Sequence, residues 1–169
     1  TQDSVLLAKL RRALARKFIA NLTKMVKDDK TKFLDEFYHE YSFFLKEGIC
    51  QDYEYQAPLS KLLFFETSKN TGSDLVSLDE YIARMQPEQK DIFYLVAPTR
   101  DAALNSPYLE AFEKLGVEVL FLFTAIDDFV MANLEQYENR KLVSVEKGNI
   151  DLSGMKKNDD DDDESKLYE

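Results

Sequence analysis

The chain has 169 residues, room for one domain or two small ones, with 44% hydrophobic and 32% charged residues and a formal net charge of −10. Acidity of that size argues against nucleic acid as a partner, and the longest apolar run, Val117 to Phe123, is interrupted by Glu118 and too short for a membrane span. A lone cysteine, Cys50, excludes an internal disulfide and fits a reducing compartment.

The charge is unevenly spread. Residues 1–29 hold seven Lys or Arg and three Asp, a net of +4, whereas residues 151–169 hold eight acids and three lysines, a net of −5. The opening TQDSVLLAKLRRALARK lacks the apolar core and cleavage site of a signal peptide, and its start inside a helical pattern reads as a piece of something longer.

Three helical segments come first. Residues 2–28 place Leu7, Leu10, Leu14, Phe18, Leu22 and Met25 three or four apart, with Lys9, Arg12, Arg16 and Lys24 largely off that stripe. Residues 30–47 place Phe33, Phe37, Tyr41 and Phe44 or Leu45 on one face, with Gly48 as a left-handed cap. Residues 53–66 carry Leu59, Leu62, Leu63 and Phe65, with regular helix expected from about Pro58. Short connections between three amphipathic helices predict a helical coil over 1–67.

After the polar SKNTGSD turn at 68–74 the grammar changes. Ser77 and Glu80 are spaced as a capping box, so a short helix starts there. IFYLVA (92–97) does not alternate, which predicts a strand covered on both faces. Ser106-Pro107 opens a helix that stops at Gly116, VEVLFLF (117–123) is a second strand, Thr124 caps a helix over 125–137 with Asp127 returning the bond, and KLVSV (141–145) is a third strand. Strands separated by helices imply parallel pairing with right-handed crossovers. The expected fold is mixed α and α/β: a three-helix coil, then a small three-layer α/β/α unit over 68–150 with a three-stranded parallel sheet in the order 2-1-3. The acidic remainder, 151–169, reads as a disordered linker.

Chemistry is sparse. No glycine-rich phosphate loop occurs among five glycines, and one Cys with one His cannot complete a zinc shell. His39 and Cys50 lie eleven residues apart with no orienting third group, and the Asp159–Glu164 run lacks the spacing and glycine of a calcium loop. Adjacent Asp127 and Asp128 would point about 100° apart on a helix, poor geometry for a carboxylate pair. Ligands of open parallel sheets bind beyond the strands' carboxyl ends, here APTRD (97–101) beside FTAIDD (123–128), where Arg100 and Asp101 could bind a small anion or hydroxyl. The simpler reading makes Pro98 a strand stop and Arg100 and Asp101 solvated loop residues.

The words themselves say more. DSVLLAKLRRAL, LKEGI, SKLLFFETSKN, LVSLDEYIARMQPEQKDIFYLVA, NSPYLEAFEKLGVEVLFL and IDDFVMANLEQYENRKLVSV resemble, in order and over 2–146, successive signatures of the heat-shock protein 90 chaperones. APTR followed by SPYLEA, with KEGI after an aromatic helix, is most similar to the mitochondrial branch, with a cytoplasmic relative as the alternative. The resemblance implies the distal part of the middle domain of an ATP-driven chaperone that acts as a homodimer. ATP and magnesium would be bound by the full-length parent and not by this piece, and the arginine lent to hydrolysis would lie upstream, so Arg11, Arg12 and Arg16 do not take that role. Implied partners are client proteins, other domains of the same chaperone and co-chaperones. Asp128 and Phe129, with Met131 more weakly, match a client-contacting position; the competing reading places Phe129 on a core stripe with Ile126, Val130 and Leu134. The reading from another class is a free-standing small α/β enzyme or ligand-binding domain using the crevice near Arg100.

Overall fold

The computed structural model describes residues 2–70 and 74–155. Part of the expected 68–74 turn and most of the acidic tail lie outside the described residues. The chain divides into two compact units, one ending at Leu63 and the other beginning at Phe64.

The first unit is helical. Helix α1 (Gln2–Asp28) buries only Ile19 and Leu22. Leu7, Leu10, Leu14 and Phe18, expected on its buried stripe, are all exposed, as is almost every residue before Ile19. Asp29 then caps α2 (Lys30–Phe33), its Oδ1 accepting from Lys32 N at 3.0 Å. The expected second helix carries a π-helical turn at Leu34–Tyr38 before continuing as α3 (His39–Gln51). In a regular α-helix Phe33 and Tyr38 would sit about 140° apart, but the wider i→i+5 turn brings both inward. They are buried, with ring centroids 5.9 Å apart.

Gly48 is no left-handed cap: α3 runs through it, and Asp52 ends the helix by donating its N–H to Gly48 O at 3.0 Å. Leu59 packs closely here, since a Cβ on residue 48 would lie 3.0 Å from Leu59 Cδ1. Asp52 also caps a 3₁₀ turn, Tyr53–Tyr55, which leads into α4 (Gln56–Ser60). The expected third helix therefore stops early. Residues 64–67 form a strand instead, since a short apolar run suits either state and paired phenylalanines favour a sheet.

Among its described residues the second unit has a six-stranded sheet, β1 (Phe64–Thr67), β2 (Val76–Ser77), β3 (Ile92–Val96), β4 (Leu120–Leu122), β5 (Gln136–Tyr137) and β6 (Arg140–Ser144), ordered β2-β1-β4-β3-β6-β5. Its centre is the parallel trio β4-β3-β6, which is the expected 2-1-3 order. Antiparallel β1, β2 and β5 widen it, each too short to announce itself in the sequence. The final expected helix, α8 (Ala125–Leu134), ends where Glu135 takes φ 59°, and β5 turns into β6 through Glu138 and Asn139, both at positive φ. Such a two-residue turn matches strand twist.

Helices cover both faces. Phe93, Leu95, Ala97, Phe121 and Val145 form one core with Ala103 of α6 (Arg100–Leu104) and Phe112 of α7 (Glu110–Lys114). On the opposite face, α5 (Leu78–Ala83), begun by Ser77 Oγ accepting from Glu80 N at 3.1 Å, sends Tyr81 inward. The Tyr81 hydroxyl donates to Glu118 O at 2.7 Å and accepts from Phe93 N at 3.2 Å and Gln89 Nε2 at 2.9 Å. The buried Glu118 carboxylate accepts from Thr67 Oγ1 at 2.6 Å and Arg84 Nε at 3.1 Å.

Burial is the main cause raising the Tyr81 and Tyr137 phenols above their ordinary range; Tyr137 also donates to Asp79 Oδ1 at 2.6 Å. These raised groups stay protonated in the folded state while the unfolded chain ionises, so the stability they add is complete below about pH 10 and is lost as pH rises further. Denaturant unfolding followed from pH 8 to 11 is expected to show this decline, with a shallower slope in Tyr81→Phe and Tyr137→Phe than in the wild type.

Candidate functional site

At the carboxyl ends of β3 and β4 the chain makes an open groove of about 410 Å³. Its floor comes from two strand exits. Ala97 N donates to Leu122 O at 2.9 Å, extending the pairing one residue beyond β3, and Pro98 then ends it. Thr99 Oγ1 accepts from Ala102 N at 3.1 Å and starts α6. On the other side Thr124, in extended conformation, starts α8. The expected capping bond runs differently here: Thr124 Oγ1 donates to Asp127 Oδ2 at 2.8 Å, tying the two side chains together.

Helix α8 divides the nominated residues. Asp127, Val130 and Met131 face inward, so Met131, 1% exposed, cannot touch a partner. Asp128 is exposed, and Phe129 is 62% exposed, which overturns the core-stripe reading of Phe129. Together with Val96, 37% exposed, and Pro98, they make a surface with apolar side chains and one carboxylate. The Tyr94 phenol beneath is pushed up, first by burial and then by the negative charge of Asp128. Val96 went unnoticed in the sequence because it reads as one more residue of a doubly covered strand. Its place at the strand's carboxyl end was the available signal.

Arg100 does not face this groove as a ligand residue. Its Nη1 donates to Thr67 O at 3.1 Å, its Nη2 donates to Asn70 O, it pairs with Glu66 Oε1 at 3.5 Å, and its guanidinium lies 5.3 Å from the Phe121 ring centroid. It is neither an anion receptor nor a solvated loop residue: it fastens the segment after β1 to the sheet. Asp101 is exposed in the first turn of α6.

His39 and Cys50 sit near opposite ends of α3, about 16 Å apart along its axis, and burial pushes the Cys50 thiol up. They cannot act as a pair. Among the described residues no group of three or more His, Cys, Asp or Glu could hold a metal ion, and no helix is long and apolar enough to cross a membrane.

Comparison with known proteins places this geometry in a lineage. The family model described as Hsp90 protein matches residues 1–169. The chain is 40% identical over 151 residues to the chaperone protein HtpG of Desulfotalea psychrophila, covering 89% of this chain and 24% of that protein. It is likewise 40% identical over 148 residues to the TNF receptor-associated protein 1 homolog, mitochondrial, of Dictyostelium discoideum, covering 86% and 21%. HtpG of Pasteurella multocida is 37% identical over 161 residues, covering 95% and 25%. The chain thus spans about a quarter or less of the length of these relatives, and with its whole described length matched it belongs to the Hsp90 family.

Proposed function

We propose that this chain is the distal part of the middle domain of an ATP-driven molecular chaperone, a helical coil and a small α/β/α unit that meet at Leu63 and Phe64 and not at the expected residue 67, with no catalysis of its own. Its part is to carry nucleotide-driven closure of the parent dimer to bound client protein. The single observation that carries the client-binding role is the exposed Phe129, beside Asp128 and Val96 on a groove with a mostly apolar lining. An aromatic ring left in water on a rigid helix is a ready contact for apolar segments of an unfolded chain. Met131 supports that helix from below and makes no client contact of its own.

ATP and magnesium would be held by parts of the parent outside this chain. The donor set at the strand ends does not fit a triphosphate, because Arg100 is committed to Thr67, Asn70 and Glu66 while exposed Asp128 would repel phosphate. The resemblance to the mitochondrial branch puts the parent in the mitochondrion, which similarity to a relative named as mitochondrial supports, and equal similarity to a bacterial relative keeps a cytoplasmic parent as the alternative. Clients, the chaperone's other domains and co-chaperones are the partners of this reading; nucleic acid and membrane are not.

Phe129→Ala in the full-length parent is expected to weaken binding of a reduced, alkylated globular protein by about five- to thirtyfold, equivalent to about 1–2 kcal/mol of lost apolar contact. Fluorescence anisotropy gives the affinity and calorimetry the melting temperature, which should hold within about 1 °C. Loss of cooperative unfolding would make Phe129 a packing residue instead. For the alternative, a ligand site at Arg100, the expected outcome of Arg100→Ala is a destabilisation of about 1–3 kcal/mol from the unpaired Thr67 and Asn70 carbonyls. Saturable phosphate binding by the wild type, abolished in a variant of unchanged stability, would establish the ligand site.

A further inference from the structure

A second groove lies elsewhere, in the first unit. An open groove of about 570 Å³ runs along residues 16–27 of α1 and is closed on its far side by the 54–58 turn. That volume falls within the range of about 300–1,000 Å³ common to ligand pockets. Ile19, Ala20, Tyr55 and Pro58 give it an apolar lining. Thr23 adds no free hydroxyl proton, since its Oγ1 donates back to Ile19 O at 2.8 Å.

The rim is positively charged although the protein as a whole is strongly acidic. Arg16, Lys24 and Lys27 stand along it. At one end Arg16 and Arg12 both reach the same carboxylate, Glu54 Oε1 at 3.3 Å and Oε2 at 3.8 Å. The chain's own acid therefore already marks what this rim accepts, held mainly by Arg16, with the long, exposed Arg12 contact adding little. At the other end the Lys24–Asp28 pair is long, at 3.8 Å, and exposed, so it holds its lysine weakly. Residues 16–27 cover three helical turns, about 16 Å, which is the contact length of a docked helix presenting apolar anchors at i, i+3 or i+4, and i+7.

We infer that this groove on α1 docks an acidic amphipathic helix of a partner protein, its apolar face against Ala20, Tyr55 and Pro58 and its carboxylates against Arg16, Lys24 and Lys27. The argument is charge complementarity around an apolar floor, which selects against basic amphipathic helices as firmly as it selects for acidic ones. The site is separate from the Phe129 surface and does not depend on the client-binding reading.

The test uses the full chain and two labelled peptides of about 14 residues, each with leucines on one face and flanked by Glu in one and Lys in the other. The Glu peptide is expected to bind saturably and the Lys peptide at least about tenfold more weakly. Ala20→Glu, at an exposed floor position, should weaken the Glu peptide by about tenfold or more. Lys24→Gln with Lys27→Gln should do the same without touching the floor, which covers the case in which Ala20→Glu unfolds. Phe129→Ala should leave the affinity unchanged. Equal affinity for the two peptides, or binding that ignores both sets of substitutions, would overturn the proposal. Tighter binding of a peptide of residues 156–169 would overturn the partner in favour of the chain's own acidic tail. Self-association that Ala20→Glu abolishes would overturn it in favour of a second copy.

Discussion

A carboxylate inside an apolar strand is tolerable only when it is answered from several directions, and Glu118 meets that condition. It sits just before β4 in a run that is otherwise Val, Leu and Phe. Arg84 from the end of α5 and Thr67 from the end of β1 bind its carboxylate, while Tyr81 binds its backbone carbonyl and, through the same hydroxyl, the backbone of β3. Four elements are thus tied together by polar groups that meet at Glu118. Removing Arg84 would strand a buried charge, so the network specifies the arrangement more than it stabilises it.

That arrangement sets where the candidate site can be. With β3 and β4 parallel and in register from Tyr94 beside Leu120 to Val96 beside Leu122, both strands run out at the same level. Pro98 and Thr124 then send the chain to opposite faces of the sheet, opening the groove between the two exits. The apolar positions of α8 that pack inward, Val130 and Met131, leave Phe129 no room on the sheet side. Its exposure follows from helical spacing, given which residues are buried.

The parallel trio and the helix α5 were legible because each had a strong local signal: Ser77 with Glu80, and two apolar runs of strand length; Ser106-Pro107, expected to open a helix, begins a turn instead, and α7 starts only at Glu110. What escaped notice was set by tertiary contacts. Phe64 and Phe65 continue an apolar pattern that suits helix or sheet, and pairing with β2 and β4 decides it. Gly48 looked like a cap and is a point of close approach; Leu7, Leu10, Leu14 and Phe18 looked like a core face and are exposed. At the candidate site, Asp128 and Phe129 were nominated through their words, since no spacing rule could have shown which side of α8 would be covered. Arg100 carried a misleading signal: a cation at a strand end suggests a ligand, but in the fold three protein groups are already bound to it.

The two outermost strands of the sheet, β2 and β5, are each two residues long. A protein proposed to meet unfolded chains would be at risk if it offered them a long row of free backbone donors and acceptors, because an extended segment could add itself as another strand and stay. Rungs so few give such a visitor almost nothing to zip onto. Contact is left to side chains, which can let go.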